Sequence, residues 1–134
     1  MKAFFDTNIL VYAATSDPKK QIAVDCLRRG GVTSVQVLNE FVQVARRKLR
    51  LDWPQIELAL GLVRTSLQDI APLTLNTHTG AVLLAREHGL SFYDALIVAA
   101  ANEAGCATLL SEDLQHGRKV GGLVIVNPFL ESVP

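Results

Sequence analysis

Residues 4–12 read FFDTNILVY, and the reading of this stretch decides the fold. Phe4, Phe5, Ile9, Leu10 and Val11 have the character of core, yet Asp6 stands among them with Thr7 and Asn8. Lys2 to Phe5 reads as a short apolar strand and Asn8 to Ala14 as a helix, so Asp6 lies at the handover between them. A carboxylate in apolar surroundings is costly unless it is hydrogen-bonded, paired or bound to a metal. The purpose of Asp6 is therefore set by what the rest of the chain brings to it.

Working outward, short apolar segments alternate with helices. SDPKKQIAVDCLRRGG (16–31) offers Asp17 as a helix cap, Pro18 at the first helical position and Gly30 and Gly31 after the last turn. After Val32 and Thr33, Ser34 is read as the cap of a long helix whose apolar positions Val35, Leu38, Val42, Ala45 and Leu49 keep helical spacing. A further helix starts near Pro54 and runs towards Leu67. IAPLTL (70–75) reads as a strand, and Pro72 within it marks an edge or a strand end. Asn76 or Thr77 begins a helix closing at Gly89, and Ser91 opens another ending at Gly105. Ala107–Leu110 and Leu123–Val126 read as the last strands. This alternation predicts an α/β domain with a mostly parallel central sheet and helices on both faces, in which ligands bind outside the carboxyl ends of the strands.

Composition sets limits on function. The chain has 134 residues, 49% of them hydrophobic, and its formal net charge is zero. That fits one globular domain with a sizeable core, without linker or repeat. No global basic field advertises nucleic acid, so such binding needs a local patch. Cys26 and Cys106 are isolated within apolar stretches and read as buried, reduced thiols. Asp6 and Asn8 interrupt any signal-like hydrophobic region, and the longest apolar run, Ala95 to Ala101, is far below a membrane span. A soluble, cytoplasmic protein without membrane attachment is expected. A glycine-rich phosphate loop is absent, which argues against nucleotide binding.

Four separate segments deliver carboxylates to one predicted sheet edge. Asp6 follows the first strand. Glu40 interrupts an apolar helical stripe of Val37, Phe41 and Val44. Asp94 lies in the first turn of the helix opened by Ser91, and Glu112 and Asp113 follow the strand that ends at Leu110. Each has an ordinary explanation: Asp6 as a helix cap, Asp94 as half of a capping box with Ser91, Glu112 and Asp113 as a solvated turn, Glu40 in an ion pair. Those explanations do not account for the equivalent places the carboxylates take in the α/β pattern. Clustered carboxylates repel, and an all-oxygen set without thiolate or converging imidazole favours Mg²⁺ or Mn²⁺ over zinc. A cation held this way activates water and stabilises charge on phosphate, which makes phosphodiester hydrolysis the natural chemistry.

In order and spacing, FFDTNILVY, LNEFVQV (38–44), SFYDALIVAAA (91–101) and TLLSEDL (108–114) resemble the four acidic motifs of the PIN-domain ribonucleases, including the VapC-type toxins. The resemblance covers essentially the whole chain and implies a single PIN-like nuclease domain over residues 1–134. It implies a Mg²⁺- or Mn²⁺-dependent endoribonuclease, the toxin of a toxin–antitoxin pair, with RNA as substrate, a small antitoxin as partner and a homodimeric state. Asp6, Glu40, Asp94 and Asp113 are then the metal-binding, catalytic carboxylates. Thr7, Asn8 and Ser111 are groups that orient them by hydrogen bonding. Glu112 is a further acidic candidate, and Gln115 stands where the family often has another acid. A housekeeping RNA-processing nuclease and a catalytically silent RNA- or protein-binding module of the same fold are the alternatives. A doubly wound phosphatase using Asp6 as nucleophile is disfavoured, because Asn8 occupies the place of that family's second Asp.

The strongest basic cluster, Arg46, Arg47, Lys48 and Arg50, reads either as an RNA-phosphate contact or as a helix end whose cations complement the macrodipole. His78, His88 and His116 lack a metal spacing. Trp53, beside Pro54, reads as a helix-start packing residue. Ile56, Leu58, Leu60, Leu62 and Val63 are apolar around more than one face, as a larger core or an interface requires.

Overall fold

The computed structural model describes residues 2–130, so the outermost positions of the expected 1–134 domain lie outside the described residues. Along the chain come β1 (Ala3–Phe5), α1 (Thr7–Ala13), α2 (Lys20–Arg28), β2 (Val32–Ser34), α3 (Val35–Arg47), α4 (Trp53–Ser66) and β3 (Asp69–Ala71). They are followed by α5 (Leu75–His88), α6 (Phe92–Glu103), β4 (Thr108–Leu110), β5 (Lys119–Val120) and β6 (Leu123–Val126). The strands form one sheet in the order β3-β2-β1-β4-β6-β5, parallel throughout except for β5 against β6.

The N-terminal strand β1 is central. Phe4 and Phe5 point to opposite faces of the sheet and both are fully buried, so both faces are covered, as a parallel sheet requires. Burial of each contributes about 1.5–3 kcal/mol. On one side the close packing of β2 depends on Gly31: a Cβ there would lie 2.5 Å from the Ala3 carbonyl oxygen and 2.6 Å from the Phe5 ring. Its φ of +154° is also one that side chains rarely adopt. Within the core, Ala95 to Ala101 of α6 are all buried, which explains a helix apolar on every face.

Several boundaries differ from the sequence reading. The 70–75 strand ends at Ala71, because Thr74 caps α5 with a reciprocal bond to Thr77; Pro72 and Leu73 are the connection. β3 is an edge strand, where a following proline costs no ladder bond. Asp17 does not cap α2. Its carboxylate accepts from the Lys19 N–H in a turn before the helix, which starts only at Lys20. α3 ends at Arg47 rather than Leu49, and α4 is capped by Asp52 with Gln55. The two-residue β5 is too short to carry a periodic signal.

Register is what places the site. β1 and β4 pair in parallel with Phe5 opposite Leu110, so Asp6 and Ser111 emerge side by side at the carboxyl end of the sheet. The Asp6 N–H extends the ladder to the Leu110 carbonyl at 3.0 Å, and the Ser111 N–H does the same to Val126. Next to them β2 ends at Ser34, whose hydroxyl caps α3 and so launches the helix that carries Glu40.

Candidate functional site

Asp6 is only 4% exposed. One carboxylate oxygen accepts from the Thr7 N–H at 2.7 Å, capping α1, and the other accepts from the Ser111 hydroxyl at 2.7 Å. Burial pushes its pKa up to about 6. The hydrogen bonds from Ser111 and Thr7 pull the other way, and the charges of Asp94 and Glu40 push it up again. Asp6 is thus both the cap and the buried centre of an acidic neighbourhood.

The neutral groups of the same motifs hold the other carboxylates. Thr7 donates its hydroxyl to Glu40 Oε1 at 2.8 Å, while Gln36, one turn earlier on α3, donates to Oε2 at 3.1 Å. Glu40 therefore has two neutral donors instead of the basic partner that an ion pair would supply. Asn8 faces two ways: its amide nitrogen donates to Asp113 Oδ2 at 3.2 Å and its oxygen accepts the Glu112 N–H at 3.1 Å. Ser91 caps α6 by accepting from the Asp94 N–H, and the Asp94 carboxylate does not return the bond, so no capping box forms. That carboxylate accepts no hydrogen bond among the described residues.

Glu112 is engaged elsewhere. Its carboxylate pairs with the Lys19 ammonium and accepts from the Tyr12 hydroxyl at 2.5 Å. Burial raises its pKa, but the Lys19 and Tyr12 hydrogen bonds outweigh that and hold it below the usual range. Lys19 also lies over the rings of Tyr12 and Phe129, 5.1 and 5.5 Å from their centroids. Glu112 is a clamped wall residue.

A cleft of about 750 Å³ opens over this floor, with Glu40, Asp94, Glu112 and Asp113 in its lining. Among the described residues no three acidic, histidine or cysteine side chains stand close enough to hold an ion between them. The donor chemistry, all oxygen and rich in unneutralised charge, fits a cation such as Mg²⁺, which keeps much of its water and takes few direct carboxylates.

The basic cluster divides. Arg46 stacks on Trp53, 4.7 Å from the ring centroid, and donates to the Leu51 carbonyl, tying α3 to the start of α4. Arg47 and Arg50 are exposed, with Arg50 at a φ of 54° in the turn, and only Lys48 reaches the cleft lining. Sequence reasoning did not single out Tyr12, Lys19, Gln36, Asn39, Gln43 or Tyr93. Only Gln36 had a sequence signal, its one-turn spacing from Glu40.

The family model for the PIN domain matches residues 3–121. The chain belongs to the PIN-domain family. Its fold is also shared with solved toxin and toxin–antitoxin structures. A toxin–antitoxin complex from Klebsiella pneumoniae superposes with a TM-score of 0.72 at 22% identity, covering 95% of this chain and 98% of that one. Mycobacterium tuberculosis VapC20, described as a sarcin-ricin loop cleaving toxin, gives 0.70 at 19% identity over 84% and 90% of the two chains. VapBC2 from Rickettsia felis, solved bound to a promoter DNA fragment, gives 0.67 at 20% identity over 93% and 97%. No curated protein matches the chain. At these identities the likeness is one of fold, so what this PIN domain does is argued from its own site.

Proposed function

We propose that this PIN domain is a metal-dependent endoribonuclease and the toxin of a toxin–antitoxin pair. The observation that carries the reading is Asp6: a carboxylate buried at the strand ends, pushed up to about 6 by burial and by the charges of Asp94 and Glu40. Such a floor is stabilised by a divalent cation. Asp6, Glu40, Asp94 and Asp113 would hold Mg²⁺ or Mn²⁺, directly or through water. Bound there, the cation supplies charge neutralisation at the scissile phosphate and lowers the pKa of the attacking water. Thr7, Asn8 and Ser111 fix the carboxylates so that little reorganisation accompanies the reaction.

The toxin assignment draws on the relatives that are toxins or toxin–antitoxin complexes. An apolar groove of about 640 Å³, lined by Leu10, Val24, Leu27, Phe41, Leu62 and Val63, supports an antitoxin segment as partner. Leu58 and Leu62 of α4 stay exposed beside it. The outward Leu75, Val82 and Leu83 of α5 support pairing with a second copy. Among the described residues no helix is long and apolar enough to cross a membrane.

The test is cleavage of RNA by the purified protein. EDTA should abolish it, Mg²⁺ or Mn²⁺ should restore it, and products should carry 5′-phosphate and 3′-hydroxyl ends. Cleavage that persists in EDTA, or 2′,3′-cyclic phosphate ends, overturns the mechanism. Growth arrest on induction, relieved by the product of a neighbouring reading frame, tests the toxin role.

A further inference from the structure

The cleft has a second wall whose chemistry the acidic floor does not explain. Tyr93, next to Asp94 at the start of α6, lines the cleft and is 65% exposed. Its ring is braced by Phe92, whose centroid lies 6.0 Å away at 66°, and Phe92 is itself braced by His78 at 5.3 Å. The other large exposed aromatic, Trp53, has Arg46 over its face and lies outside this cleft. Lining the same cleft, α3 presents Gln36, Glu40 and Gln43 at intervals of three to four residues, with Asn39 beside them, and Lys48 follows at its C-terminal end. The side chains of Asn39 and Gln43 are exposed and make no hydrogen bond among the described residues.

Each component matches one part of an unpaired nucleotide. An aromatic ring offers the flat face on which any base stacks, amides carry the donor and acceptor needed at a base edge, and a lysine meets a phosphate. A base within a duplex, stacked on both faces and paired along its Watson–Crick edge, offers neither a free face nor that edge. The cleft volume is in the range of pockets that enclose a small organic ligand.

We propose that Tyr93 is the platform on which an unpaired RNA base stacks beside the acidic cluster, with Asn39 and Gln43 meeting the base edge and Lys48 a neighbouring phosphate. This deepens the nuclease reading and rests on it for the choice of RNA. The base on Tyr93 then sets which phosphate lies over Asp6 and its neighbours, and Asn39 and Gln43 set which bases are accepted.

The experiment uses short single-stranded RNAs carrying 2-aminopurine at one position, with Ca²⁺ replacing Mg²⁺ to slow cleavage. The parent and Tyr93→Phe should quench the probe and bind within about twofold of each other, because the ring face is kept. Tyr93→Leu and Tyr93→Ala should lose the quenching and bind roughly five- to a hundredfold more weakly, while melting with the parent. Asn39→Ala with Gln43→Ala should reduce discrimination among oligonucleotides of different base. Parental affinity and quenching in Tyr93→Ala overturn the inference. So does a variant that binds RNA normally but loses a protein partner, since Tyr93 then belongs to that interface. The nuclease reading is scored separately in Mg²⁺. Quenching by a parent that never cleaves removes that reading and leaves the stack standing, whereas cleavage by Tyr93→Ala with parental KM removes the stack and leaves the nuclease.

Discussion

Asp6 and Glu112 lie just past the ends of neighbouring strands, β1 and β4, and the fold treats these two carboxylates in opposite ways. Asp6 is buried, receives only neutral donors and sits among other acids, so its pKa is pushed up to about 6 and its charge is left unneutralised. Glu112 sits nearer solvent and meets an ammonium and a phenol, so its ionised form is favoured. One charge is left uncompensated and the other is already spent. Proximity to a strand end therefore does not define a site member; what matters is whether the protein has neutralised the group itself.

The largest effect that should follow from this contrast is at Asp6. Asp6→Asn keeps the shape and removes one negative charge, so cleavage should fall by at least about a hundredfold while metal-free thermal stability stays level or rises. Mg²⁺ should then stabilise the variant less than the parent, because a ligand stabilises only through its affinity for the folded state. Normal cleavage with an earlier melt would reduce Asp6 to a helix cap. Paired activity assays and melts, with and without Mg²⁺, decide.

Acidification probes the same group. Its folded pKa of about 6 lies above the ordinary 3.8, so the metal-free fold carries a penalty above pH 6 that is absent below pH 4. Over that interval the Asp6 contribution should stabilise the parent by at most about 3 kcal/mol, at 1.36 kcal/mol per pKa unit, as read by denaturant titration at each pH. The difference between the parent and Asp6→Asn isolates this part from carboxylates of opposite sign such as Glu112.

Releasing the clamp should matter less. In Lys19→Met the Glu112 carboxyl should titrate higher, closer to its ordinary range, visible in side-chain NMR. Cleavage should stay within about fivefold of the parent, the ceiling for a surface pair. A loss as large as that of Asp6→Asn would erase the distinction between the two carboxylates. Smallest is the basic segment: Lys48→Ala should lower the salt slope of RNA binding by about one, and Arg46→Ala should leave it unchanged.

Much of this architecture was legible because polar punctuation stops apolar runs: Asp6 after Phe5, Ser34 before Val35, Ser91 before Phe92. Thr74 was missed because Leu73 and Leu75 flank it and imitate strand alternation, although a reciprocal pair with Thr77 fixes the helix start. The places of Asp6 and Asp113 after strands, of Glu40 within an apolar helical stripe and of Asp94 in a first helical turn were all visible in the sequence. Their partners were harder, since Lys19 meets Glu112 across 93 residues and no local pattern encodes that. The basic cluster could not be apportioned from sequence, because successive residues near a helix end point in different directions, so Arg46 stacks on Trp53 while Lys48 reaches the cleft. Tyr93 was hidden in an apolar run whose other members are mostly buried.

The parallel pairing of β1 with β4 has a consequence for synthesis. Asp6 is made well before the group that seats it, the hydroxyl of Ser111, which follows 105 residues later. At roughly 5–20 residues per second a ribosome takes several seconds to cover that distance. Throughout that time the emerging chain has Asp6, then Glu40, then Asp94, but no strand β4 against which β1 can place the first of them. The site around Asp6 is completed only after β4 and Ser111 are made, and a fragment broken off before Ser111 is a blank.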